Sequence, residues 1–147
     1  MNFLEVNIKM AIGEKLWEGK AKSTMMAIKG ASAEGVKIES TWMAQLKGMG
    51  RAMGLDGTVV FSGNTMQSPS GVGESMGTGL LNFMNGDMAV VKGTGAGKVE
   101  MGKSMTVGIW TFMTMSKLAW LNTEIALVTM SGDPSWMEFD IAIWEWK

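Results

Sequence analysis

Apolar and polar residues alternate one by one along most of the chain, which is the period of a half-buried β-strand and not of a helix. The even positions Leu4, Val6, Ile8, Met10 and Ile12 are apolar while Glu5, Asn7 and Lys9 are polar, so a first strand is expected there. After Gly13 the odd positions Trp17, Gly19, Ala21, Ser23, Met25 and Ala27 are small or apolar and oppose Glu18, Lys20, Lys22 and Thr24, a second strand with solvent on one side. The clearest alternation sets Val36, Ile38, Ser40, Trp42, Ala44 and Leu46 against Lys37, Glu39, Thr41, Met43, Gln45 and Lys47. Thr58 to Met66, carrying Val59 and Phe61, is the next strand, and the loop Gln67 to Gly73 closes it.

Glu74 to Met84 and Met88 to Glu100 flank Asn85-Gly86-Asp87, a strong hairpin signal. Ser104 to Met113 and Ile125 to Met130 have strand composition, with a short helical turn expected over Ser116 to Asn122, capped by Ser116. Gly132-Asp133-Pro134 breaks the pattern. Trp136 to Trp146 then forms the last strand, with Met137, Phe139, Ile141 and Ile143 on one face and Trp136, Trp144 and Trp146 among charges on the other.

Eight or nine long strands joined mostly by short turns predict an all-β fold, an antiparallel up-and-down barrel in one domain over residues 1–147. Alternate glycines mark two strands, Gly77 and Gly79 on one and Gly93, Gly95 and Gly97 on the next, where a sheet can bend sharply or approach another backbone closely. In layout the chain resembles the small calycin-like and allene-oxide-cyclase-like barrels. It lacks the Gly-x-Trp of lipocalins, since Gly13 and Trp17 are four positions apart, so the resemblance implies a fold and no binding residues.

Composition narrows the chemistry more than it suggests it. Without Cys there are no disulfides, zinc–thiolate sites or thiol nucleophiles, and without His or Tyr the common acid/base groups and metal ligands are gone. No metal site or cofactor is expected. A net charge of −1 and a single arginine, Arg51, argue against nucleic acid. No apolar run reaches the roughly 18 residues of a membrane helix, and the N-terminus lacks the pattern of a secretory signal, so no membrane association and a cytoplasmic location are expected. The 17 methionines have no physical account in the sequence.

Gly97 to Ser104, GKVEMGKS, matches the form of a phosphate-binding loop. That loop needs a helix after it, and here MTVGIWTF follows, so Gly102-Lys103 reads as a hairpin turn. Trp17, Met25, Trp42, Phe61, Phe83 and Phe139 fall at inward positions and are the expected ligand-binding residues, because an eight-stranded barrel is just wide enough for filled packing or one small ligand. Met adapts its shape to apolar guests and is expected among them. The leading expectation is non-enzymatic binding of a small apolar ligand. A filled barrel that self-associates through Trp136, Trp144 and Trp146 is the alternative, and an isomerase or cyclase using a buried Glu124 is a third.

Overall fold

The computed structural model describes residues 12–115 and 117–147. The expected strand over Leu4 to Ile12 therefore lies outside the described residues except for Ile12, and so does Ser116. Eight antiparallel strands follow one another around a closed barrel: β1 (Ile12–Ser32), β2 (Gly35–Gly48), β3 (Gly57–Gln67), β4 (Val72–Phe83), β5 (Met88–Glu100), β6 (Lys103–Met113), β7 (Ile125–Gly132) and β8 (Glu138–Trp146), with β8 paired to β1. The helical turn spans Ala119–Thr123, with Leu118 in the N-cap position and no side-chain cap; a second single turn covers Gly50–Ala52.

Local chemistry places the reversals. Met101 and Gly102 both have positive φ, 54° and 76°, as a two-residue hairpin turn matched to strand twist requires, so the turn precedes Lys103, which already belongs to β6. No helix follows the phosphate-loop-like sequence, and the ladder runs through it from Lys98 paired with Met105 to Glu100 paired with Lys103. At the other strong signal Gly86 takes φ 94°, and the Asn85 side-chain oxygen accepts from the Asp87 amide at 2.9 Å.

Inward residues fall in cross-strand rows, and the rows differ from end to end. Toward one end Ala44, Val59, Leu81 and Ala89 stand side by side, next to Leu46, Gly57 and Phe83. This half is solid: Leu16, Trp17, Val59, Leu81, Val91, Leu121 and Ile143 are fully buried. The connections β2–β3 and β6–β7 fold over that end and contribute Ala52 and Leu121 to the plug. Trp17 Nε1 donates to the Leu55 carbonyl at 2.9 Å, which ties β1 to the β2–β3 connection.

β1 does not keep one parity. Its pairing with β2 slips between Ser23 and Met25 and again between Ile28 and Gly30. Its pairing with β8 runs only to Lys22 opposite Glu138, so beyond Lys22 β1 has no strand on that side among the described residues. On the outside, most of the described methionines are exposed, including Met43, Met88, Met105 and Met113.

Candidate functional site

The other half of the barrel is hollow. A cavity of about 370 Å³ opens there, within the size range of small-molecule sites. Its floor is aromatic. Phe61 and Trp110 lie 5.7 Å apart and 6° from parallel, Trp42 stacks on Phe61 at 5.1 Å, and Phe139 meets Trp42 edge-on at 5.4 Å.

Glycines make room for these rings. One row runs Ser40, Gly63, Gly77, Gly93, Trp110 from β2 to β6. A Cβ on Gly93 would sit 2.7 Å from Trp110 Cδ1, and one on Gly77 would sit 2.6 Å from Phe61 Cε1. The two rings therefore lie directly on bare backbone, and the alternate glycines set the depth of the floor as well as the bend of the sheet. Above it, the rows Thr65–Ser75–Gly95–Gly108 and Gln67–Gly73–Gly97–Thr106 give walls of peptide and hydroxyl groups.

The six residues expected to bind a ligand divide. Trp42, Phe61 and Phe139 line the cavity. Trp17 and Phe83 belong to the solid half, where their rings stack at 6.1 Å, because their rows lie nearer the plugged end. Met25 points away and is 39% exposed: the slip after Ser23 reverses the inward parity of β1 and puts Met26 on the cavity instead. Met26, Met76 and Met130 are the methionines on the lining, a small share of the total, so the Met excess is chiefly a property of the outer surface.

Trp136 was expected on an outer face with Trp144 and Trp146. It precedes β8 in the β7–β8 connection, lines the cavity with Pro134 and Ser135, and meets Phe139 edge-on at 5.2 Å. Its φ of 55° is a left-handed conformation that costs a non-glycine residue about 1–2 kcal/mol. Hydrogen bonds hold it there. The Ser23 hydroxyl donates to the Trp136 carbonyl at 2.5 Å, the Trp136 amide donates to the Asp133 carbonyl at 3.1 Å, and the Asp133 carboxylate accepts from the amide and hydroxyl of Ser135. Those bonds from Ser135 hold the Asp133 carboxyl below the usual aspartate range. Trp144 and Trp146 do face outward, Trp144 beneath the Lys15 ammonium at 4.8 Å, but the three indoles share no surface.

Among the described residues Lys98 is the one ionisable side chain on the lining, and it is exposed and paired with Glu100 at 3.3 Å. No described carboxylate reaches the cavity. Glu124 follows the helical turn at the plugged end, where Arg51 Nη1 lies 3.9 Å away and stacks over Trp120. Burial raises its pKa, Glu145 raises it further, and Arg51 opposes both. Because the folded value is raised, Glu124 contributes stability that is complete below about pH 4 and is lost as pH rises through the folded pKa. Glu124→Gln is therefore expected to raise Tm above that of the wild type at pH 7, with the two melts converging at pH 3.5. Among the described residues no cluster of acidic side chains could hold a metal ion.

No family model and no curated protein matches the sequence. Solved structures match its shape. A protein of unknown function from Clostridium acetobutylicum superposes with a TM-score of 0.78 at 14% identity, over 91% of this chain and 98% of its own. A β-barrel-like protein from Acinetobacter baumannii gives 0.78 at 13% identity, over 92% and 95%. A protein from Penicillium herquei described as an enzyme gives 0.68 at 18% identity, over 91% and 92%. At these identities the likeness is one of fold: the chain is a small closed antiparallel barrel of eight strands, consistent with the calycin-like layout that the sequence resembles. No described helix is long and apolar enough to cross a membrane.

Proposed function

We propose that the protein binds a small, largely apolar molecule in the hollow half of its barrel. The observation that carries this reading is the division of one barrel into a solid half and an aromatic-floored cavity of about 370 Å³. Side chains large enough to fill eight strands are present in the first half, so the glycines and serines of the second leave space that the fold itself does not require. Aromatic rings contribute most of the contact a guest would gain, and the hydroxyls would orient it. Among the described residues the lining carries no carboxylate, which favours binding over acid/base turnover there.

Ser40 lies in the floor row beside Gly63, where a larger side chain can project into the cavity. Ser40→Phe is expected to weaken binding of the neutral fluorescent probe N-phenyl-1-naphthylamine at least tenfold without lowering Tm. Unchanged probe binding in a folded Ser40→Phe protein would place the guest elsewhere and end the proposal. Native mass spectrometry of the purified protein adds a second check, a retained small-molecule adduct that the variant loses.

A further inference from the structure

We infer that the guest is planar and uncharged, and that one polar group on its edge hydrogen-bonds to the Ser104 hydroxyl. The inference rests on the reading of the cavity as a binding site and deepens it to a ligand class.

Planarity follows from the floor and walls. Trp42, Phe61 and Trp110 are within 19° of parallel to one another, so a flat guest can continue the offset stacking that they already form. The walls beside them are glycine backbone at Gly63, Gly95, Gly97 and Gly108, and peptide planes without side chains let a flat molecule approach closely. A puckered ring would meet the same floor with fewer atoms in contact. Neutrality follows from the lining, which offers a buried charge no counter-ion: Lys98 is exposed and already paired.

The polar contact follows from one atom. Ser104 lines the cavity and is 1% exposed, yet its Oγ has no hydrogen-bond partner among the described residues. Four other hydroxyls of the lining are bonded, Thr65 to Ser75 at 2.8 Å, Ser23 to the Trp136 carbonyl and Ser135 to Asp133, and Ser104 is the buried one left over. Buried polar atoms nearly always have partners, and an orphan on a cavity wall is where a guest's hydroxyl or carbonyl would supply one. β6 turns two hydroxyls inward, Ser104 and Thr106, and of the two Ser104 is the buried one.

Four compounds of one skeleton separate these properties by calorimetric titration: 2-naphthol, naphthalene, decahydro-2-naphthol and 2-naphthoate. The expected result is that 2-naphthol binds at least tenfold more tightly than its saturated counterpart and at least tenfold more tightly than the carboxylate. Ser104→Ala should weaken 2-naphthol about five- to tenfold and leave naphthalene unchanged. Should Ser104→Ala melt too low to titrate, Ser104→Cys, which keeps the volume with a weaker donor, makes the same comparison. Equal affinity for the saturated alcohol, displaced in Ser40→Phe, would keep the cavity as a binding site and overturn planarity. Equal loss of naphthalene and 2-naphthol in Ser104→Ala would overturn the hydrogen bond. If none of the three neutral compounds binds, the binding reading itself falls.

Discussion

Trp17→Ala is expected to destabilise the protein by about 3–5 kcal/mol, a large fraction of the 5–15 kcal/mol that holds a typical domain together. Trp17 is fully buried, its ring stacks on Phe83 at 6.1 Å and lies 6.0 Å from Phe112, and its Nε1 is bonded to the Leu55 carbonyl. Truncation would leave a cavity in the solid half and an unsatisfied carbonyl in the connection that plugs it. Trp17→Phe restores much of the volume but not the donor, so it is expected to lose roughly 1–3 kcal/mol, the cost of an unsatisfied buried acceptor. Urea unfolding of the three proteins gives the order wild type, Phe, Ala. A loss below about 1 kcal/mol in Trp17→Ala would mean that the stability does not reside in this half.

Gly77→Ala is expected to cost about 1–3 kcal/mol, or a Tm drop of roughly 3–10 °C, although it adds only a methyl group. The new carbon would lie 2.4 Å from the Ser62 carbonyl oxygen, 2.6 Å from Phe61 Cε1 and 2.8 Å from Gly63 Cα. Two of those neighbours are backbone atoms of β3, which cannot retreat without disturbing the β3–β4 ladder. The third belongs to a ring held between Trp42 and Trp110. Phe61 must therefore tilt, and affinity for N-phenyl-1-naphthylamine should fall together with Tm. Gly30→Ala supplies the control: nothing lies within 4 Å of its Cβ position, so thermal melting should show a shift close to zero.

The strands were legible in the sequence where one face is buried and the other wet. The alternation over 36–47 matches β2 to within a residue at each end, and the Asn85-Gly86-Asp87 signal marks the β4–β5 reversal. Three features of the site were not legible, each for a physical reason. The β1 slip after Ser23 is set by how β1 meets its neighbour, and nothing in the local sequence distinguishes Met25 from Met26. Trp136 continues the alternation of β8, whereas the Asp133–Ser135 bonds hold it in a left-handed turn over the cavity. The division between filled and hollow halves depends on which inward residues share a row. Trp17 and Trp42 are equivalent by periodicity, yet they lie in different halves.

The length of β1 beyond Lys22 bears on how this barrel behaves at high concentration. A closed barrel normally leaves no strand edge for another chain to extend, but residues 24–32 of β1 keep one side without a strand partner among the described residues. The segment includes Met25, Met26 and Ile28, all exposed, a composition that invites edge-to-edge association. Two irregularities interrupt it, the slip after Ser23 and the slip at Ile28–Gly30, and Lys29, in contact with Glu39 at 3.4 Å, puts a charge between the latter pair. Bulges and lysines are the means by which natural sheet edges resist adding strands. The slip that turns Met26 toward the cavity is thus also an irregularity of the kind that makes a strand edge a poorer template for another chain.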